Sequence, residues 1–132
     1  MFSSIHHIAL TVNKLKESVE WYKNTLGFTE VKSYHDENMD IVLLQLNYIK
    51  LELFSIKDKT QALPEYRKEL MSDLHVIGTK HLCLQTNNLE SSIIELHTKG
   101  VEFLGKPSES FFGGKYIFFK DCNGILIELL QE

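Results

Sequence analysis

The sequence has no hydrophobic run long enough to cross a bilayer. Its longest uninterrupted apolar stretch is Ile41-Val42-Leu43-Leu44, against the ~20 residues a spanning helix needs. The N-terminal residues Met1-Phe2-Ser3-Ser4-Ile5-His6-His7 lack the basic start and apolar core of a signal peptide, so a cytoplasmic protein is expected. Positive charge is also scarce. There are 14 Lys and Arg against 18 Asp and Glu, a formal net charge of −4, and Arg67 is the sole arginine. Neither nucleic acid nor a membrane surface is an expected partner. Cys83 and Cys122 are too few for a disulfide framework, and a reduced setting is the simplest one. What remains is 132 residues, 43% hydrophobic and 24% charged, the makeup of one ordinary globular domain.

Within that ordinary composition lies a repeat. His7 to Lys23 overlays His81 to His97 at a constant offset of 74, with identities at His7/His81, Leu10/Leu84, Asn13/Asn87, Leu15/Leu89 and Ser18/Ser92. Ile49-Lys50-Leu51-Glu52-Leu53-Phe54 overlays Ile125-Leu126-Ile127-Glu128-Leu129-Leu130 at an offset of 76. One small loop insertion absorbs the difference. Each copy therefore carries a histidine near its start and a glutamate near its end.

The same order of elements is read in both copies. Ile5 to Val12 reads as a strand ending at Asn13. Leu15, Val19, Tyr22 and Leu26 then recur at helical spacing, and Gly27 suits a left-handed C-terminal cap. In the second copy Leu82 to Thr86 is the strand. Asn87 is the predicted cap with Glu90 three residues on, Leu89, Ile93 and Leu96 form the stripe, and Gly100 ends it. Further strands are predicted near Thr29 to Ser33, Met39 to Leu46 and Ile49 to Phe54. Their counterparts lie near Val101 to Leu104, Tyr116 to Phe119 and Ile125 to Leu130, the last two joined by the turn Asp121-Cys122-Asn123-Gly124. The expectation is an α+β fold of two tandem β-α-β-β-β modules within a single domain. Module one spans about 1–56 and module two about 78–132. The linker, about 57–77, holds a short helix over Pro64 to Met71.

Strand parity then singles out four side chains, because successive residues point to opposite faces. Ile8, Leu10 and Val12 share the face a helix can cover, and His7, Ala9 and Thr11 share the other. Leu82 and Leu84 likewise oppose His81, Cys83 and Gln85. Leu51 and Leu53 oppose Lys50, Glu52 and Phe54, and Ile127 and Leu129 oppose Leu126, Glu128 and Leu130. Two histidines and two glutamates thus project from the face the helices leave free. A carboxylate on an apolar strand is costly unless paired or metal-bound. Taken singly, each of the four is explained as well by a lysine-paired carboxylate or a core histidine; four at matching positions point to one shared ion. Two imidazoles and two carboxylates suit Zn, Ni, Co, Mn or Fe(II). His35, His75 and His97, and the charges of Lys57, Asp58, Lys59 and Glu65 to Glu69, read as solvated. His6 reads as structural and Cys83 as an inert reduced thiol. Phe111-Phe112-Gly113-Gly114 reads equally as a lid over the cleft or as a plain connection.

The pattern resembles the vicinal oxygen chelate superfamily of glyoxalase I, methylmalonyl-CoA epimerase, fosfomycin-resistance enzymes, bleomycin-binding proteins and extradiol dioxygenases. The stretches that carry the resemblance span nearly the whole chain. They are His7-Ile8-Ala9-Leu10-Thr11-Val12, Ser18-Val19-Glu20-Trp21-Tyr22 with Leu26-Gly27-Phe28, His81-Leu82-Cys83-Leu84, and Phe119 to Glu128. The resemblance implies paired modules whose curved mixed sheet surrounds a metal cleft, with His7, Glu52, His81 and Glu128 as ligands. It further implies a substrate with two adjacent oxygens, a proton shuttled through an enediolate, and a homodimer. Glu128 is the first choice for the catalytic base and Glu52 the second.

A glyoxalase-type lyase or isomerase acting on a small molecule is the expectation. Glyoxalase I carries an arginine on its first strand for the glutathione carboxylates. Here that stretch is Leu10-Thr11-Val12, which argues against glutathione dependence. A methylmalonyl-CoA epimerase-like enzyme is the alternative, with lysines such as Lys115 meeting phosphate. A non-catalytic binding protein of the antibiotic-resistance type is the alternative from another class.

Overall fold

The offsets read in the sequence reappear as strand register. The computed structural model describes residues 1–58 and 60–132, and the chain divides into two units, Met1–Ala62 and Leu63–Glu132. The first contains β1 (Ile8–Thr11), α1 (Leu15–Leu26), β2 (Thr29–His35), β3 (Met39–Leu46) and β4 (Ile49–Ile56). The second opens with a 3-10 turn (Glu65–Arg67) and α2 (Leu70–Leu74). It continues through β5 (Leu82–Gln85), α3 (Leu89–Thr98), β6 (Phe103–Glu109), β7 (Lys115–Lys120) and β8 (Leu126–Gln131). Each unit holds a four-stranded mixed sheet, ordered β1-β4-β3-β2 and β5-β8-β7-β6. In each, the first pair is parallel and the others antiparallel. Ile8 pairs with Leu51 and Ala9 with Glu52. Adding 74 to the first number of each pair and 76 to the second yields the observed Leu82/Ile127 and Cys83/Glu128. This is the β-α-β-β-β architecture expected from the sequence.

Burial follows the predicted parity for the helix-facing side chains, though Leu43, Phe118 and Leu126 on the opposite faces are buried too. Val42, Leu44, Leu51 and Leu53 of the first sheet are buried with Val12, Val19 and Tyr22, and Tyr22 meets Phe28 edge to face. Ile117, Phe119, Ile127 and Leu129 of the second are buried with Leu89 and Leu96. Gly27 adopts φ 80° and ends α1, the N–H groups of Gly27 and Phe28 returning to the carbonyls of Lys23 and Tyr22. Gly114 stands between β6 and β7, where an added Cβ would lie 2.1 Å from the Gln131 carbonyl oxygen. The chain passes β8 there with no room for a side chain.

Several boundaries move. β1 starts at Ile8, leaving Ile5 exposed. The cap of α3 is Asn88, not Asn87, because the Asn88 side chain is the one that accepts the Ser91 N–H, at 2.9 Å. Both long helices still begin at equivalent positions, Leu15 and Leu89. The linker helix breaks into the Glu65–Arg67 turn and α2. Lys57 is paired as well as solvated, its Nζ reaching Asp40 at 3.4 Å and the Asp36 carbonyl at 2.5 Å. Lys59 lies outside the described residues.

Candidate metal centre

β1 and β5 place their histidines one residue before the strand begins, on the side away from the helices. The parallel neighbours β4 and β8 present Glu52 and Glu128 on that same side. His7 Nε2 lies 3.5 Å from Glu52 Oε1, and His81 Nε2 lies 3.0 Å from Glu128 Oε2. The structure therefore brings each predicted histidine to the predicted glutamate of its own unit. Among the described residues, no group of three or more His, Cys, Asp or Glu side chains is placed to hold a metal ion.

The two pairs are not equivalent. His81 and Glu128 are each 19% exposed, whereas His7 is 38% and Glu52 25% exposed. His81 Nδ1 is buried without an acceptor. Glu128 Oε2 is the partner of His81 Nε2. His7 Nδ1 instead bonds the Nδ1 of exposed His6 at 2.8 Å, so His6, read from sequence as structural, buttresses a candidate ligand. The register neighbours differ too. Glu52 has Ala9 on one side and Leu43 on the other, while Glu128 has Cys83 and Phe118. The Cys83 side chain stands beside Glu128 in register. Burial, then the Glu128 charge, push its thiol up to about 11, so it stays protonated at neutral pH. Cys83 is exposed and so is not a core thiol.

These donors suit a divalent ion. An imidazole nitrogen and a carboxylate oxygen, each about 2.0–2.2 Å from one ion at angles of 90–109°, stand roughly 2.8–3.6 Å apart. Both observed separations fall in that span. The same faces mix apolar and polar neighbours: Ile41, Leu43 and Phe54 with Gln45 and Lys50 in the first unit, Tyr116, Phe118 and Leu130 with Gln85 and Lys120 in the second. Sequence reasoning missed Leu43 and Phe118 as neighbours of the carboxylates, since only cross-strand register identifies them.

Residues 4–129 match the family model described as Glyoxalase/Bleomycin resistance protein/Dioxygenase superfamily. The chain belongs to this superfamily. Its relatives in the glyoxalase superfamily include YwkD of Bacillus subtilis, 30% identical over 138 residues, covering 100% of this chain and 99% of that one. Another is the mitochondrial methylmalonyl-CoA epimerase of Homo sapiens, 25% identical over 132 residues, covering 96% of this chain and 73% of the human one. Among solved structures, a glyoxalase family protein from Enterococcus faecalis superposes with a TM-score of 0.82 at 28% identity, covering 98% of both chains.

The remaining sequence-read features fall outside the two pairs. Lys115 lies on the opposite face of β7 from Tyr116 and Phe118, one and three residues away along the strand, and pairs with Glu109 at 3.9 Å. Phe111 and Phe112 are fully exposed at the turn between β6 and β7. His35 pairs with Asp40 at 3.0 Å and His75 Nδ1 meets the Met71 carbonyl at 2.7 Å.

Proposed function

We propose that this protein is a divalent-metal-dependent lyase or isomerase of the glyoxalase type, whose ligands are His7, Glu52, His81 and Glu128. Its substrate is a small molecule with two adjacent oxygens. The observation that carries the reading is the duplicated His–Glu pair, repeated in register and spaced as two donors of one ion are spaced. An N/O donor set of this kind suits Ni, Co, Zn, Mn or Fe(II), and the ion supplies a positive charge that polarises a carbonyl and acidifies the neighbouring C–H. His7 and His81 hold and orient. One of the two carboxylates takes the proton from carbon and returns it to the next carbon, or to the same carbon with inversion. The apolar neighbours Leu43 and Phe118 keep water from the proton in transit.

Return to the same carbon is an epimerisation. The similarity to the human methylmalonyl-CoA epimerase over 96% of this chain supports that as the second reading. Two free cysteines suit a reducing, cytoplasmic protein, and a homodimer is the expected assembly.

Metal analysis of the purified protein, followed by exchange in D2O, tests the proposal. The panel is hemithioacetals of 2-oxoaldehydes and epimers of acyl-CoA thioesters. Stoichiometric divalent metal and deuterium entering beside the carbonyl are expected. A protein with neither is a binding module.

A further inference from the structure

Resting on the reading of Glu52 as part of the reacting site, we propose that Lys32 and Lys50 form an anion subsite on the free face of the first unit, where the substrate places a carboxylate or phosphate group. β2 contains one residue more than regular pairing allows. Thr29 pairs with Gln45 and Glu30 with Leu44, and then Lys32, not Val31, pairs with Leu43. Val31 is the extra residue of a β-bulge, in which two residues of one strand oppose one of its neighbour. Regular pairing would set Lys32 opposite Val42, which is buried on the helix side. The bulge turns Lys32 to the other side, in line with Leu43 and, one strand further, Glu52. Re-aiming a side chain beside a site is a recurrent use of bulges.

Lys50 completes the pair. It stands two residues before Glu52 on β4, so strand alternation puts both on one face. By strand geometry Lys50 is roughly 7 Å and Lys32 roughly 10 Å from Glu52, Cα to Cα. Among the described residues, other lysines are ion-paired, but neither of these two is. Glu30, the one acid of β2, pairs with Leu44 and so points to the opposite side. At the equivalent positions the second unit has Leu126 and, facing Phe118, Leu104. A lysine at a bulge also guards a sheet edge against another chain, and β2 is an edge strand. That duty accounts for Lys32 and not for Lys50, which is half-buried on an inner strand. A half-buried ammonium without a partner is costly. An anion accepting from both lysines offsets that cost with charge-assisted hydrogen bonds.

Inorganic phosphate and acetate are the probes. The nitrogen-15-labelled full chain, stripped of metal by a chelator, is titrated with each at constant ionic strength and followed by NMR. Phosphate is expected to shift amides of β2 and β4 with a millimolar Kd. Lys32→Gln and Lys50→Gln should each weaken it at least about fivefold, and Lys32→Arg should recover to within about twofold. Lys16→Gln, an exposed lysine of α1, should bind as the wild type does. Acetate binding as well as phosphate assigns a carboxylate, and phosphate binding alone assigns a phosphate ester. The bound anion should compete with the panel compound that exchanges deuterium, raising KM and leaving kcat. Absent shifts, or shifts that survive both glutamine variants, overturn the subsite and leave Lys32 as an edge guard. Inhibition that lowers kcat instead overturns its place in substrate binding. A protein that binds phosphate in this way and takes up no divalent metal keeps the subsite and loses the metal reading, so the two fail separately.

Discussion

The His81 ring meets the edge of Phe118 with centroids 4.9 Å apart, at a place where the first unit has Leu43. Phe118 is 8% exposed, so it braces the histidine and fills core at once. Phe118→Leu is expected to cost about 1–2 kcal/mol, from the lost aromatic contact and the small cavity left behind. Urea unfolding measures the stability, and metal titration should show several-fold weaker binding. Unchanged values in both would mean that Phe118 does not hold His81.

The Cys83 thiol has a pH signature. With its pKa raised to about 11, first by burial and then by Glu128, the thiol form persists where an ordinary cysteine has ionised. Alkylation at pH 8 should be slow and should rise about tenfold per pH unit toward 11, whereas an ordinary thiol levels off above about 9. Glu128→Gln removes one cause of the rise and should speed the reaction at pH 8. Mass spectrometry of the Cys83 peptide follows it, and a plateau by pH 9 would contradict the shift.

Asp73 ties down the segment that delivers His81. It is 2% exposed, with Arg67 Nε at 3.6 Å and Lys80 Nζ at 3.5 Å. Lys80 Nζ also donates to the carbonyls of Asp73 and Val76, and Arg67 to those of Thr79 and Lys80. Asp73→Ala should cost about 2–3 kcal/mol, below the 3–5 of a fully buried pair because Arg67 and Lys80 keep contact with water. Chemical denaturation is the measurement, and a loss under about 0.5 kcal/mol would show the network to be idle.

Metal removal should be visible in stability without any substrate. At a hundred times its Kd, a ligand bound only by the folded chain adds about 2.7 kcal/mol, on the order of 10 °C in Tm for a domain of this size. Chelation should remove that increment, and His81→Ala should be insensitive to both metal and chelator. A melting curve indifferent to metal in the wild type would refute ligation.

Much of this was readable in the chain because the signals are local. Leu15, Val19, Tyr22 and Leu26 announce α1, and Gly27 its end. The strands Met39–Leu46 and Ile49–Ile56 were placed to within two residues. The α3 cap slipped by one because Asn87 and Asn88 are adjacent, and only backbone geometry chooses which side chain turns back to Ser91. His6 was read by parity as though strand alternation reached it, but the strand begins at Ile8. Its exposed ring turns to His7 instead. The Arg67–Asp73–Lys80 network gave no sequence signal, since nothing in isolated charges tells which will be buried together.

The sequence by itself determined the doubled order of elements and the face on which His7, Glu52, His81 and Glu128 stand, because alternation along a strand and spacing along a helix are properties of neighbouring residues. Only the tertiary structure decided that the copies are unequal. Cys83 beside Glu128 and Phe118 against His81 are contacts between different strands, and it is cross-strand register, set by packing the whole sheet, that makes them neighbours.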